Sequence, residues 1–536
     1  MIDARNSMLT NEVYIMNRYD VDVLVIGGGP AGFAAGVAAS RKGLRTLLIE
    51  NLTSLGGLMT NGYVTGPAGM IEGICKELLD RMRSKGLLYD TPHTPAVDPE
   101  KCKFEMETML LQSGCRLLYG MHAVDVIMDG ANIQSVVCYS KSGRCEIKAG
   151  LFIDTTGDAD IAAVSGVPYE VGDAEYMGLN LAHTMGVRMS DVNMKKFREA
   201  MKAWVEDNTG YPENFSIVGE MMDKAVKNGD LPYPIFPGGL IYQVPGTPDE
   251  AADITFNVAH SYYNHNLSVE DLSRQIVEQH QQNQWLENAY RKYVPGFESC
   301  RISGLGSLPG IRDSRRIVGE YILKNSDIAA ASKFEDSIAK FPELYDTHHP
   351  TSGYWGFRHH IHSKEPIPGA VNLTEPCDKA MHPFCPPEEG SYSVYQNPAN
   401  YCEIPYRCIV PLKVDNLLVA GRCVSAQFHA MAAVRIISIC MATGQAAGIA
   451  ADLCLKNRIS PRELDGRLVR KAMIDDGVPL DRAPDGYWAY LAESAKDDLN
   501  KHEFVRLRGD MVGVRLPDGK ITMRFGDIKK QSPEKG

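Results

Sequence analysis

The sequence predicts an α/β fold built on a parallel sheet, and three observations carry that prediction. An apolar run, VDVLVI, occupies residues 21–26. A glycine turn, GGGPAG, follows at 27–32 and opens an Ala-rich stretch. A second apolar run, TLLIE, ends in an acid at Glu50. Apolar runs of this length read as strands buried on both faces, as in sheets whose crossovers are helices. Gly27, Gly29 and Gly32 stand at G-x-G-x-x-G spacing. Gly27 permits the tight turn, Gly29 lets a pyrophosphate approach the backbone, and Gly32 lets the helix pack against the sheet. Pro30 and Ala31 open that helix, whose N-terminal N–H groups attract phosphate. Glu50 falls about 20 residues on, where an acid accepts from ribose hydroxyls, with Asn51 beside it. Strand, turn, helix, strand and acid in this order read as a dinucleotide-binding unit rather than a bare turn.

Later segments indicate which dinucleotide. FIDTTGDAD (152–160) and NLLVAGRCVSA (416–426) are each a strand running into a glycine turn, and CMATGQAAGIAA (440–451) is a small-residue helix. With GGLMTNG, LYGMHAVDV, PGIRDSRRIVGEY and IPYRCIVP they resemble the FAD-dependent oxidoreductases of the glutathione-reductase-like FAD-binding fold. The resemblance covers most of residues 21–455 and assigns no substrate. It implies FAD as cofactor. It places Thr156, Gly157 and Asp158 near the dinucleotide chain, the Val124 backbone at adenine, Gly421 and Arg422 beside the ribityl chain, and Gly56 and Gly57 at the isoalloxazine.

The loop NLTSLGGLMTNG (51–62) narrows the class. Disulfide reductases of this fold place a redox Cys pair after such glycines, where this chain has Leu58, Met59 and Thr60. The succinate dehydrogenase and fumarate reductase branch bonds FAD to a His just before them. This loop has no His, so FAD is expected to be non-covalent with respect to that link. Flavin hydroxylases carry Gly-Asp in the late motif; here it is Gly421-Arg422. Arg422 therefore has two readings, contact with pyrophosphate or flavin O2, or pairing with a carboxylate. Asp158 likewise reads as a cofactor contact, as the N-cap of the helix that follows, or as both. GLGSLPG (304–310) lacks the following helix, strand and acid, so no separate NAD(P)H domain is expected.

At 536 residues the chain exceeds one ordinary core. The motifs map a discontinuous Rossmann-like FAD-binding domain at 21–170 and 405–455. Between its halves lies an inserted α+β substrate or cap domain at 171–404, and a helical and hairpin extension follows at 456–536. In the insert, Met194, Phe197, Met201 and Trp204 recur at helical spacing as core. A second helix opens at Ser268 with Asp271 in an approximate capping box, and carries Leu272, Ile276, Leu286 and Tyr290 along one face. ITFNVAH (254–260) alternates like a half-buried strand. SPRELDGRLVRKAM begins a helix with Ser460 as N-cap, Pro461 at its first position and Glu463 completing the box. LPDGKITM predicts a hairpin at Asp518-Gly519.

Composition excludes several classes. A net charge of -11 argues against nucleic acid as a partner. No run of about 20 apolar residues predicts a membrane span; residues 434–455 carry Arg435 and Gln445 and read as a packed core helix. The first 20 residues lack the pattern of a signal peptide. The 13 cysteines are scattered without a C-x-x-C pair, which favours reduced thiols and a cytoplasmic enzyme over a disulfide framework or clustered iron–sulfur ligation. Homo-oligomerisation is left open.

A flavin enzyme needs a proton donor or acceptor near the reacting carbon and often a cation for an anionic substrate. His429, between the late motif and the next helix, has a suitable intrinsic pKa; the alternative is a structural His capping that turn. Arg435 reads as an anion or flavin contact, or as half of a buried ion pair. Arg312 and Arg315, with Arg316, offer forks for carboxylate or phosphate; the alternative is a helix start salt-bridged to Asp313 and Glu320. The stretch with His348, His349, His359, His360 and His362 has no i, i+4 pair, so no metal site is expected. It reads as a loop that either lines the substrate with Tyr354, Trp355 and His360 or is solvated. The expected function is FAD-dependent oxidation or reduction of a small organic substrate by hydride transfer at flavin N5. The rivals are a flavin-containing electron-transfer subunit and a flavoprotein resembling tRNA-modifying enzymes.

Overall fold

The computed structural model describes residues 17–481, apart from 70, 91–93, 208–215, 234, 236–240, 330–331, 342–346, 349, 351–354, 357–359, 364–370, 374–389 and 394–400. It also describes three short strands at 503–506, 512–515 and 521–522. Strand β1 (Asn17–Ile26), helix α1 (Pro30–Arg41) and strand β2 (Thr46–Glu50) form the expected βαβ unit, with β1 and β2 parallel. On its far edge β2 pairs in parallel with β3 (Arg116–Tyr119). The sheet then turns back through β4 (His122–Asp129) and β5 (Asn132–Ser140) to β6 (Gly143–Asp154), which pairs in parallel with β1. The N-terminal half of β6 pairs antiparallel with β5, while its last three residues pair in parallel with the late-motif strand β11 (Leu417–Val419). Five parallel strands thus lie in the order β3-β2-β1-β6-β11.

Both faces of this layer are covered, which is why all five residues of β2 are buried. The apolar stretch read as one core helix divides at Arg435 and Ile436 into α4 (Phe428–Val434) and α5 (Ile437–Asn457). Among the described residues α5 alone is long and apolar enough to cross a membrane, and 83% of its most apolar window is buried. It packs on α1 through glycines. A Cβ at Gly444 would lie 2.0 Å from the Ala31 carbonyl oxygen, and one at Gly448 2.6 Å from that of Ala35.

A second hydrophobic core lies within residues 187–302. Its antiparallel sheet has the order β8 (Tyr242–Gln243), β9 (Ala252–Ser261), β7 (His183–Val192), β10 (Arg301–Leu305). Met194, Phe197 and Met201 of the helix Met194–Asp207 are buried there as expected; the Trp204 side chain lies outside the described residues. By contrast Leu323, Ile338 and Phe341, further along the same segment, pack into the first core.

Three local expectations are corrected. Helix α3 (Val269–Tyr293) does start at Ser268, which accepts from the Asp271 N–H. Leu272 and Ile276 are only half-buried, however, and the helix up to Asn283 buries Gln275, Gln279, Gln282 and Asn283 instead. The arginine segment forms a strand, Arg315–Ile317, paired with Tyr169–Val171, not a helix start. Ser460 and Glu463 exchange the expected box bonds, but within a turn; the helix starts at Gly466 with Asp465 as its cap. Strands Val512–Arg515 and Ile521–Thr522 pair as the expected hairpin, whose Asp518-Gly519 turn lies outside the described residues. All eleven described cysteines are buried and free of disulfides.

Candidate functional site

The candidate cofactor residues gather at the carboxyl ends of the five parallel strands, where ligands bind in open α/β sheets. At the end of β1 the glycines divide their work. Gly27 has φ +100°, and a Cβ on it would lie 2.6 Å from the Thr155 carbonyl oxygen. A Cβ on Gly32 would lie 1.8 Å from the Gly27 carbonyl oxygen, so helix and turn touch there. A Cβ on Gly29 would meet nothing within 4 Å. Gly29 is the N-cap of α1, whose first turn carries Pro30, no acid and no side-chain cap, so the helix presents its positive end uncovered.

Glu50, at the end of β2, is buried and accepts from the Gly28 N–H at 2.5 Å and the Leu52 N–H at 2.8 Å. Gly28, which the spacing left unassigned, has to be small for this: its Cβ would sit 2.9 Å from Glu50 Oε2. Burial raises the Glu50 pKa against the opposing pull of those N–H groups. Two bonds occupy about half of a carboxylate's lone-pair positions. Asn51 beside it is exposed. The following loop lies along the glycine turn: the Gly56 N–H donates to Gly28 O at 2.8 Å, and a Cβ on Gly57 would lie 3.0 Å from Gly29 Cα.

After β3 the chain returns to Glu50, whose carbonyl accepts from the Met121 N–H at 3.0 Å. Val124, three residues on and 45% exposed, falls where the β4–β5 register slips between Ala123 and Asp125. It is the extra residue of a bulge, with its backbone outside the ladder.

At the end of β6, Asp154 is wholly buried. Its Oδ1 accepts from the Thr156 N–H at 3.0 Å and the Thr156 hydroxyl at 2.8 Å, and its Oδ2 from the Ala162 N–H at 2.9 Å. The Thr155 hydroxyl lies 2.8 Å from the carbonyl oxygens of both Ile26 and Gly27, tying this turn to the glycine turn. Gly157 has φ +82° and faces Arg422, 3.1 Å from where its Cβ would be. Asp158 does not cap helix α2 (Asp160–Val164). Thr156 accepts from the Asp160 N–H, Asp154 takes the Ala162 N–H, and Ala159 takes the N-cap position with φ +53°. Asp158 instead accepts from Arg422 Nη2 at 2.8 Å and from the Ser314 hydroxyl at 2.5 Å.

Of the two readings of Arg422, that pair shows the carboxylate partner to be Asp158, and the cofactor contact stays open beside it. After β11, Gly421 (φ +89°) donates its N–H to the Thr443 hydroxyl at 3.1 Å, and Arg422 Nη1 donates to Ser314 at 3.0 Å. Burial opposes the Arg422 charge most, but Asp158, Cys423 and Asp313 together raise the guanidinium pKa.

The candidates for chemistry lie on two sides of this edge. His429 is the second residue of α4, half-buried, with its ring edge-on to Phe428 at 5.4 Å and Tyr176 at 6.1 Å. Gln427 takes the N-cap position of that helix, and Asn325 accepts from the Ala430 N–H. Arg435, half-buried, ends the same helix. Arg315 donates to Asp160 and to the Asp158 carbonyl, both at 2.9 Å, and stacks over Tyr169. Asp160 is pushed up to about 6 by burial and by Asp158 and Asp154, with Arg315 opposing. Arg316 lies 3.6 Å from Asp313, whereas Glu320 pairs with Arg462. Arg312 is buried and turns to the second sheet, donating to the Ala182 carbonyl at 2.9 Å. There it stands near His183 and His260, two buried histidines that sequence reasoning did not single out. Within the His-rich stretch, His348 is buried and His360–Ser363 is a strand, while His349, His359 and Tyr354 lie outside the described residues. No cluster of three or more metal-ligating side chains occurs among the described residues.

The family model for FAD dependent oxidoreductases matches residues 22–473, and the chain belongs to that family. It is an oxidoreductase and an FAD flavoprotein. A thiamine thiazole synthase of Methanococcus vannielii is 30% identical over 143 residues, 26% of this chain and 52% of that protein. A thioredoxin reductase of Mycolicibacterium smegmatis is 42% identical over 69 residues, 13% of this chain and 22% of that protein. The chain thus spans about half the length, or less, of these two relatives. A geranylgeranyl bacteriochlorophyll reductase-like protein of Thermoplasma acidophilum superposes with a TM-score of 0.41 at 14% identity, over 90% of this chain and 91% of that one. The residues at the five strand ends fit FAD: an open approach at Gly29, an uncovered helix N-terminus and a carboxylate one strand away.

Proposed function

We propose that this enzyme holds FAD non-covalently along the carboxyl ends of its five parallel strands, in the glutathione-reductase-type arrangement. The same reading has it oxidise or reduce a small organic substrate held by residues 171–404 acting as a substrate domain. The observation that supports it best is the convergence of the glycine turn, Glu50, Val124, the 154–158 turn and the 420–422 turn on one sheet edge. Bound FAD supplies hydride transfer at its N5. The α1 N-terminus takes the pyrophosphate, Glu50 the ribose hydroxyls, the Val124 backbone the adenine, and Gly56 and Gly57 admit the isoalloxazine. The Arg422–Asp158 pair holds the ribityl-side turns together. His429 contacts the reacting end, and Arg435 and Arg312 favour an anionic substrate. A small molecule rather than a nucleic acid suits the net charge of -11.

The test is an absorption spectrum of the purified protein before and after anaerobic NADH or NADPH, with acid precipitation. A flavin spectrum with FAD released into the supernatant is expected. Bleaching identifies a reductase fed by a pyridine nucleotide; no bleaching directs the search to oxidation of an organic substrate. No flavin after reconstitution with FAD overturns the reading.

Glu50 makes FAD retention pH-dependent. Its ionised form accepts from ribose hydroxyls, and burial lifts its folded-state pKa above the ordinary 4.5. FAD is therefore expected to be held at neutral pH and released as pH falls through that raised value, before an exposed Glu would protonate. The apoprotein runs the other way. A carboxyl that binds its proton more tightly when folded adds stability as pH falls from the folded to the unfolded pKa. Fluorescence of released FAD, followed from about pH 8 to about pH 4, checks the first trend, and Glu50→Gln should flatten it.

A further inference from the structure

Residues 180–181 lead into β7, and residues 264–266 lie between β9 and α3. His183 pairs with Ser261, so both turns stand at the same end of the second sheet. They are bonded to each other there. The Asn180 N–H donates to the Asn264 carbonyl at 3.0 Å, the Asn266 N–H to Asn180 Oδ1 at 3.0 Å, and Asn264 Nδ2 to the Leu181 carbonyl at 3.2 Å. All three asparagines are buried, and their short amides close the turns by bonding nearby backbone.

Asp313 holds this pair of turns from the cofactor side. It has no exposed surface. Its Oδ1 accepts from the Leu181 N–H at 2.6 Å, its Oδ2 from Asn180 Nδ2 at 2.9 Å, and its carbonyl from Asn266 Nδ2 at 2.8 Å. One residue thus takes donors from both turns. A buried carboxylate is costly unless its oxygens are bonded, so Asp313 and the two turns stabilise one another only when all are in place.

The next residue faces the other way. The Ser314 hydroxyl meets Asp158 at 2.5 Å and Arg422 Nη1 at 3.0 Å. A carboxylate only accepts and a guanidinium only donates, so the single hydroxyl proton goes to Asp158 and a lone pair to Arg422. Both bonds form only when the 154–158 turn after β6 and the 420–422 turn after β11 hold their observed separation. Arg315 adds a bond to the Asp158 carbonyl at 2.9 Å. Two consecutive residues therefore grip the second sheet through one side chain and the strand-end turns through the other.

We propose that Asp313 and Ser314 are positioning residues that couple FAD binding to docking of the second sheet. This coupling rests on the FAD reading for what sets the two strand-end turns. FAD held along them fixes the separation that Ser314 bridges. Ser314 in place sets Asp313, and Asp313 receives residues 180–181 and 264–266. Coupling free energies are reciprocal, so docking of the sheet tightens FAD by the same factor. The consequence for catalysis is order: the surface that the second sheet presents is fully assembled only on enzyme that already carries FAD.

The test is hydrogen-exchange mass spectrometry of the full chain, as apoprotein and at saturating FAD. Peptides carrying the Gly28 and Leu52 amides, which donate to Glu50, report FAD arriving. Peptides carrying the Leu181 and Asn266 amides report the second sheet. In wild type, FAD should slow exchange at both sets, by about tenfold or more at the second. Ser314→Ala removes only the hydroxyl. It should keep the slowing at Gly28 and Leu52, lose it at Leu181 and Asn266, and leave apoprotein exchange there close to wild type. Its FAD affinity should fall by the same factor as the slowing that was lost. Asp313→Asn, which turns an NH₂ toward one of the two donors, should speed exchange at Leu181 and Asn266 in both states and weaken FAD as well. A merely structural Ser314 would speed exchange at Leu181 and Asn266 equally with and without FAD, which overturns the proposal. Slowing confined to Gly28 and Leu52 in wild type also overturns it and leaves the FAD reading standing. No slowing at Gly28 and Leu52 would sink the FAD reading itself.

Discussion

Gly29→Val is expected to leave the fold intact and abolish FAD binding. A Cβ at Gly29 meets no atom within 4 Å, and the residue has φ −66° and ψ −174°, extended backbone that valine adopts without strain. The protein's own packing therefore leaves room for the added Cβ. The isopropyl group instead fills the space over the α1 N-terminus where the proposed pyrophosphate site lies. Melting of the apoprotein should fall only slightly, by the cost of a poorer N-cap, while FAD affinity falls by about a thousandfold or more, roughly 4 kcal/mol. Gly32→Ala is the contrasting control. Its Cβ would lie 1.8 Å from the Gly27 carbonyl oxygen, so melting and FAD occupancy fall together. Circular dichroism and flavin absorbance after reconstitution separate the two cases. Full FAD occupancy in Gly29→Val would remove the pyrophosphate from this turn.

What the sequence made legible was local in the chain. Each of Gly27, Gly29 and Gly32 is required by a turn, an approach or a close contact within a few residues, and Glu50 sits one strand on. The partners that the sequence could not name are distant. Arg422 meets Asp158 across 264 residues, so pairing with a carboxylate stood only as one of two readings. Asp158 looked like a cap by spacing, yet Asp154 does the capping because the backbone turns left-handed at Ala159 and brings Ala162 over the strand end. Helix α3 shows a different limit. Apolar periodicity selects Leu272 and Ile276, but the helix buries Gln275, Gln279 and Gln282 because sheet groups receive them. Gln279 donates to the His183 carbonyl, and Gln282 bonds the His260 N–H and carbonyl. A row of amides at helical spacing was the available signal for a buried polar surface, and with it for His183 and His260. The arginine segment reads as a helix start from its charges; its strand pairing with Tyr169–Val171 has no trace in either segment alone.

Asp154→Ala should be among the costliest single polar substitutions at the site, and it should remove FAD by a different route from Gly29→Val. The carboxylate has no exposed surface and joins the last residue of β6 to both the following turn and the first turn of α2. Truncation strands the Thr156 and Ala162 N–H groups away from water, at about 1–3 kcal/mol each. Against this stands relief of a buried carboxyl whose pKa burial has raised. A net loss of about 2–4 kcal/mol follows, so melting drops along with FAD affinity as Thr156, Gly157 and Asp158 lose their anchor. Asp154→Asn keeps one oxygen for the Thr156 donors but turns an NH₂ toward the Ala162 N–H, and should fall between. Because the folded-state pKa of Asp154 is raised, the native state binds that proton more tightly than the unfolded chain. The margin of wild type over Asp154→Asn should therefore widen as pH is lowered through the folded value, measured as the difference between paired melting curves. An unchanged melting temperature in Asp154→Ala would mean that the turn is held from the Arg422 side alone, and the strand end would then be a neighbour of the cofactor site rather than one of its supports.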